Sequence, residues 1–384
     1  MSTTPALSFD FVPILTALDP HHTYTPTPLA GGLVNLTSRI TIAPRPDPEQ
    51  HECPFGQVPD SVVAKYAPPY VAAVGESAPF SQFRQVIEAR ALHLLSHPSA
   101  RAYIHNGLSH NISTPSLIHH DPNAYVLLMS DLGHDSFTLD HWLTSVCPSV
   151  EAATAAGTRF GSFFARLGGL KDAVIPDLQL DFTNPGARKL ILDVAVRAVN
   201  DNLLKCGIDS AEAAVLTQSA VDMFVRQGEW DAKVFSLGDC WPKSLLVLAG
   251  DGLAVIDWEF AGMDAPLQDV SQLAAHLYLL HQTSSSASQP TIQAFSLAFY
   301  RTHHAQAPDW WYEASHRADA WRLFGREVVN NIVEVDWFDG DEVKKEEGVK
   351  RLGKKGAEFM RDAEQRAEEG SVGAPLFEAA FAKL

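Results

Sequence analysis

Four oxygen-bearing side chains sit on two turns about a dozen residues apart. Asp239 and Ser244 lie within 236–244, SLGDCWPKS, and Asp257 and Glu259 end the strand-like run LAVIDWE. Oxygen ligands at short, staggered intervals suit Mg²⁺, which takes a few protein oxygens and leaves its other positions to water and phosphate. A carboxylate left free of metal then positions a hydroxyl nucleophile. The apolar approach to Asp257 strongly disfavours an unpaired carboxylate, so that residue needs a cation or several donors. Asp239 follows Gly238 in a turn, where Asp is also a common turn former or helix cap. Ser244 by itself is ambiguous, and Glu259 serves equally as a second metal contact or a structural hydrogen-bond acceptor.

A cation stands far upstream. Lys65 lies on the apolar strand SVVAKYA, 61–67, flanked by Val62, Val63 and Ala67. An ammonium there is costly unless paired, and Glu88 on the following helix is its natural partner. Taken alone, the pair reads just as well as a solvent-facing lysine and an unrelated surface glutamate; the downstream turns favour the pairing. Gly31-Gly32 precedes the strand pair that leads to Lys65 and fits a hairpin covering phosphates.

The elements that position these groups fall into two parts. Residues 1–25 read as a lead-in, with a short helix near 10–18 and a Pro/Thr-rich connector. Two short strands follow around the glycines, over 29–43. The segment 44–59 carries five prolines, which make it a loop. A helix over 80–96 places Phe83, Val86, Ile87, Ala91, Leu92 and Leu95 at helical spacing. YVLLMSDLG, 125–133, is a buried strand running into a turn, with the hinge at 129–132. Beyond it, helical periodicity covers 150–168, 186–205, 211–227, 267–281, 291–305 and 310–333. The tail 340–367 alternates Lys, Glu and Arg as a solvated helical face. The expected architecture is α+β and bilobal: a lead-in over 1–25, a strand-rich lobe over 26–131, and a helical lobe over 132–384, with a cleft between the lobes.

Composition excludes several classes. The chain has 384 residues, 46% of them hydrophobic, and a formal charge of −17; nucleic-acid phosphates would be repelled. Its four cysteines lie far apart with no Cys-x-x-Cys pair, a pattern of reduced thiols in a cytoplasmic protein. The first Lys or Arg is Arg39, unlike the basic start of a targeting peptide. No apolar run reaches the ~18 residues that span a bilayer. His119-His120 and His303-His304 are neighbours that face different ways and suit chelation poorly; they read as loop or helix-surface histidines. Neither a Gly-x-Ser-x-Gly elbow nor a Walker A loop occurs.

In this order the pieces resemble the aminoglycoside phosphotransferase and choline kinase-like family, which has a protein-kinase-like fold. The resemblance runs over 29–280, from the glycine hairpin, Lys65 and Glu88, through the hinge, to GDCWPKS and VIDWEFAG with Pro266 and Asp269 behind it. Leu237 stands where the family has His before Gly-Asp, and Ser244 where most members have Asn. VVAKYAPPYVAAVGESAP, 62–79, followed by IEARAL, is similar to the methylthioribose kinase branch, which also carries that Ser and an Asp-x-Glu. Trp258 departs from that branch's Pro. Asn330-Asn331 aligns with its late arginine pair, a loss of two cations that changes what the pocket accepts; Arg322 and Arg326 are the nearest cations in sequence.

The resemblance implies ATP and Mg²⁺ as cofactors and a hydroxyl of a small metabolite as acceptor, with a methylthioribose-type sugar as one candidate. Lys65 would hold the α/β-phosphates and Glu88 would orient it. The backbone of Met129, Ser130 and Asp131 would meet adenine, and Gly31 and Gly32 would cover the phosphates. Asp257, Ser244 and Glu259 would surround the metal, and Asp239 would accept or orient the acceptor hydroxyl. Pairing into a homodimer is implied too, though no surface pattern marks it. Neither nucleic acid nor membrane is expected as a partner. Leu237 and Ser244 also motivate an alternative, a catalytically silent kinase-like protein that binds nucleotide or a partner.

Overall fold

The computed structural model describes residues 9–29, 32–44, 59–105, 112–369 and 377. Gly31, Cys53 and most of the proline-rich loop lie outside the described residues. The chain divides into two compact units, Met1–His97 with Thr114–His134, and Pro98–Ser113 with Asp135–Leu384. Among the described residues no helix is long and apolar enough to cross a membrane.

The first unit is built on a five-stranded antiparallel sheet, ordered His22–Pro28, Leu36–Pro44, Ser61–Tyr66, Val126–Ser130, Leu117–Asp121. Period-two alternation sorts its faces. Ile40, Ile42, Val62, Ala64, Val126 and Leu128 bury one face with Leu15 of the lead-in helix Val12–Leu18 and Phe11 just before it. Each large aliphatic buried there contributes about 1.5–3 kcal/mol. Lys65, one residue out of phase with Ala64, points the other way and meets the helix Arg84–Ser96.

The hairpin differs from the sequence expectation. Its first strand is HTYTPTP, His22–Pro28, assigned above mainly to the lead-in connector. This is the edge strand of the sheet, where proline is tolerated because one side of the backbone needs no ladder partner. Tyr24 turns into the core, and its hydroxyl donates to the Asp19 carbonyl at 2.8 Å. His119 and His120 lie on the opposite edge strand, Leu117–Asp121, rather than in a loop or on a helix. On the long helix Phe83 and Val86 are not buried, whereas Arg84 and Gln85 are; polar anchoring overrode the apolar face that spacing suggested.

The second unit is mostly helical. Val150–Ala173 lies against Gln289–Gln306 at near-backbone contact, since a Cβ on Gly157 would fall 2.3 Å from the Phe295 carbonyl oxygen. Phe160, Phe163, Phe164, Phe295 and Phe299 fill the seam. His303, expected at the surface, is buried there, with its Nδ1 2.7 Å from the Tyr312 hydroxyl. The charged tail forms Glu342–Arg361, which is only half solvated: Leu352, Ala357, Phe359 and Met360 are buried, and it packs on Ala314–Glu334. Two small sheets interrupt the helices. Val234–Ser236 pairs with Gly262–Asp264, and Leu245–Leu248 pairs with Leu253–Val255. The two chemistry-bearing turns are the segments these strands bracket.

Candidate active site

In the first unit Lys65 and Glu88 form a buried ion pair, Nζ to Oε1 2.7 Å. Gln85, one turn before Glu88, donates to the Lys65 carbonyl at 2.9 Å and fixes the strand against the helix. Sequence reasoning missed Arg84, which is fully buried. Its guanidinium donates to Asn35 Oδ1 at 2.9 Å and to the carbonyls of Ser81 at 2.9 Å and Pro68 at 2.8 Å. The segment after the glycines is held further by Ala72 and Ala73 amides donating to Val34 and Leu33 carbonyls at 3.1 and 2.8 Å. Gly32 is exposed on that segment. Five guanidinium donors in a rigid fork suit such a many-carbonyl site, which lysine could not fill.

Met129 and Ser130 end the strand Val126–Ser130, and Met129 is paired with Val63. Asp131 is a structural anchor through its side chain. Arg39 meets both its oxygens, Nε to Oδ2 2.5 Å and Nη2 to Oδ1 3.0 Å, and Ser61 Oγ donates to Oδ2 at 2.7 Å. Burial alone would raise the Asp131 pKa, but Arg39, Ser61 and the Gly133 amide outweigh it and bring it down to about 2.

In the second unit one face of the helix Gln268–Thr283 holds the turn after Ser236. Asp269, Gln272 and His276 share that face by their three- and four-residue spacing. Asp269 accepts the amides of Leu237 at 2.8 Å and Gly238 at 3.0 Å. Gln272 accepts the Cys240 amide at 3.0 Å and donates to Asp239 Oδ1 at 2.7 Å. His276 lies beside Trp241, ring centroids 6.0 Å apart. Gly238 must be glycine: its φ is +82°, and a Cβ would meet the Phe260 carbonyl oxygen at 2.1 Å. Leu237 is fully buried.

The oxygens on the second turn are set with comparable care. Asp257 has φ 63°, left-handed backbone for a residue with a side chain. That conformation costs about 1–3 kcal/mol and clusters at functional sites. The buried Trp258 donates from Nε1 to the Val255 carbonyl at 3.2 Å and pins the bend. Ser244 ends a short helical turn, fully buried, with Oγ donating to the Asp239 carbonyl at 3.2 Å. Glu259 is buried two residues beyond Asp257. The structure thus brings Asp239, Ser244 and Asp257 into one neighbourhood.

Burial pushes Asp239 up to about 7, against the Gln272 hydrogen bond and helped by the Glu327 and Asp257 carboxylates. Asp269 also reaches about 7 through burial, against its two amide bonds. Burial lowers His276 to about 4, so it is neutral at pH 7. Arg326 is paired with Glu327 at 2.6 Å, and Arg322 with Asp319 at 3.0 Å. Asn330 and Asn331 spend their amides on the Ala195 carbonyl at 2.7 Å and the Glu327 carbonyl at 2.9 Å. A cavity of about 410 Å³ adjoins the turn, lined by Gly238, Phe260, Asp264, Gln268 and Arg326 among others. Gln272, His276 and Glu327 were not singled out from sequence. The polar residues at 269, 272 and 276, spaced along one face of a helix rich in Leu and Ala, were the available signal.

The Gly-Asp turn is thus stitched to one helix, and the half-buried Asp257 lies within electrostatic reach of Asp239. Residues 59–321 match the phosphotransferase enzyme family, and the chain belongs to it. It is similar to two 4-hydroxytryptamine kinases. That of Psilocybe cubensis is 23% identical over 283 residues, 71% of this chain and 73% of the relative. That of Psilocybe cyanescens is 22% identical over 352 residues, 90% of this chain and 89% of the relative. Among solved structures, an amicoumacin kinase in complex with AMP-PNP and Ca²⁺ aligns with TM-score 0.49 and 12% identity, over 93% of this chain and 94% of that one.

Proposed function

We propose that this protein transfers the γ-phosphoryl group of ATP to a hydroxyl of a small molecule. The observation that carries the reading is Asp239: a half-buried carboxylate on a turn whose amides are held by Asp269 and Gln272, with Asp257 near enough to raise its pKa. Such a group positions a hydroxyl for in-line attack and takes up its proton. Its ionised form is the competent one, so transfer rises with pH through the region of about 7. Lys65, aligned by Glu88, would hold the α/β-phosphates. Leu237 leaves this chemistry intact, because Asp269 bonds to the backbone of that position rather than to its side chain.

The donor set fits Mg²⁺. Among the described residues no group of three or more His, Cys, Asp or Glu side chains is arranged to hold a metal. An ion that keeps its waters and binds mainly through phosphate needs only one or two carboxylates. Asp257 would hold it, with Ser244 and Glu259 as hard-oxygen neighbours. Bound there, Mg²⁺ would neutralise phosphate charge.

The acceptor side favours a protonated aromatic amine over a methylthioribose-type sugar. Glu327, paired with Arg326, is a buried carboxylate within electrostatic reach of Asp239. The half-buried indoles of Trp241 and Trp337 flank His276, at 6.0 and 6.3 Å between ring centroids. Indole faces suit an ammonium, the Glu327 charge being already met by Arg326, and the two relatives are named for a hydroxylated tryptamine. The test is Mg²⁺-dependent ATP turnover with 4-hydroxytryptamine, methylthioribose and choline in parallel, using the parent and Asp239→Asn. The variant should bind ATP and lose most transfer. Unchanged transfer overturns the role of Asp239, and a protein silent with every acceptor favours a non-catalytic nucleotide-binding role.

A further inference from the structure

Gln272 makes two hydrogen bonds that fix each other's sense. The amide of Cys240 is a donor, so the atom 3.0 Å from it is the Gln272 oxygen. The nitrogen of the same side chain must then face Asp239, and it donates to Oδ1 at 2.7 Å. The usual two-fold ambiguity of a glutamine amide is removed by a backbone group that has only a proton to offer. The other end of Asp239 is also held, since its carbonyl accepts Ser244 Oγ at 3.2 Å. Oδ1 therefore carries a permanent donor, and among the described residues no side chain donates to Oδ2.

We infer that Gln272 is a positioning residue for phosphoryl transfer, reserving Oδ2 of Asp239 for the acceptor hydroxyl. This rests on the reading of Asp239 given above. A carboxylate that rotates freely offers either oxygen along a range of directions, whereas a clamped one offers a single lone-pair direction. Misplacement by about 1 Å of a group in a transfer geometry costs on the order of 10²-fold in rate. The carbonyl half of Gln272 serves the fold by satisfying Cys240; the amino half serves the reaction. The two halves are separable by substitution.

Gln272→Glu keeps an oxygen for the Cys240 amide and replaces the neutral donor at Asp239 with a second carboxyl, which repels it when ionised, whereas Gln272→Met removes both bonds. The full chain is assayed with Mg²⁺-ATP and 4-hydroxytryptamine, and with Mg²⁺-ATP and water alone. The ¹³Cγ resonance of Asp239 is recorded for the parent and both variants without nucleotide. The expected result for Gln272→Glu is a kcat lower by about 10- to 100-fold, an unchanged KM for ATP, a denaturation midpoint lowered by the carboxyl pair and a moved Asp239 resonance. Gln272→Met should lose stability as well. A Gln272→Glu protein with parental kcat and resonance overturns the inference, as does a fall in kcat matched by an equal loss of folded protein. If the parent turns over no ATP, the reading as a kinase fails, and an unmoved resonance then overturns the positioning role independently.

Discussion

Asp269→Ala tests the proposition that the helix Gln268–Thr283 templates the turn that carries Asp239. Asp269 accepts two amides, from Leu237 at 2.8 Å and Gly238 at 3.0 Å, and is itself buried. Its removal leaves two buried N–H groups without acceptors, at about 1–3 kcal/mol each. Part of that loss is returned, because burial pushes this carboxyl up to about 7 and the folded protein no longer holds a desolvated charge. The net expectation is about 2–4 kcal/mol of lost stability. Released from the helix, the turn lets Asp239 drift, and a drift of about 1 Å costs on the order of 10²-fold in turnover. Asp269→Asn keeps one acceptor oxygen and presents its amino group to the other amide, so it should fall between parent and Ala in both respects. Urea denaturation measures the first quantity, and Mg²⁺-ATP turnover with saturating nucleotide measures the second. An Ala variant with parental midpoint and parental turnover refutes the template.

Glu88→Ala should cost about 3–5 kcal/mol, the usual result of removing one partner from a buried ion pair, and should weaken ATP binding measured by calorimetry; parental affinity would sink the role of Lys65. Arg84→Met withdraws the guanidinium from Asn35, Ser81 and Pro68, so the amides of Ala72 and Ala73 should exchange hydrogen faster in mass spectrometry. The Asp131 carboxyl is held down at about 2, so its contribution is complete above the ordinary carboxylate range and is lost as pH falls through about 2. Arg39→Ala should therefore reduce stability at pH 7, an effect that shrinks as acid protonates Asp131, and a stability difference independent of pH would contradict it.

Much of the candidate site was legible because its chemistry is local. Lys65 stands out as an ammonium on an apolar strand, and Glu88 one helix on as its counter-charge; the structure pairs them at 2.7 Å. Asp257 stands out as a carboxylate closing an apolar run, and its left-handed backbone shows how sharply that run is turned. Other features were misread where context outweighs pattern. HTYTPTP is rich in proline yet forms a strand, because an edge position forgives the missing N–H. The Lys/Glu tail looked fully solvated, but its few apolar residues fall on one stripe and are buried. Phe83 fitted the helical spacing yet is 36% exposed, while Arg84 beside it is fully buried.

By itself the sequence determined which groups could carry phosphoryl transfer and the local elements on which they stand, because strand and helix periodicity depend on neighbours within a few residues. The partners of those groups were decided by tertiary structure alone. Asp269 meets Leu237 and Gln272 meets Asp239 across 32 and 33 residues of chain. Nothing in either segment specifies the other; the packing of Gln268–Thr283 brings two side chains on one helical face, Asp269 and Gln272, to three amides of one turn. The carboxylate that the sequence offers as a candidate base becomes a clamped one only there, where burial leaves each N–H a single acceptor within reach.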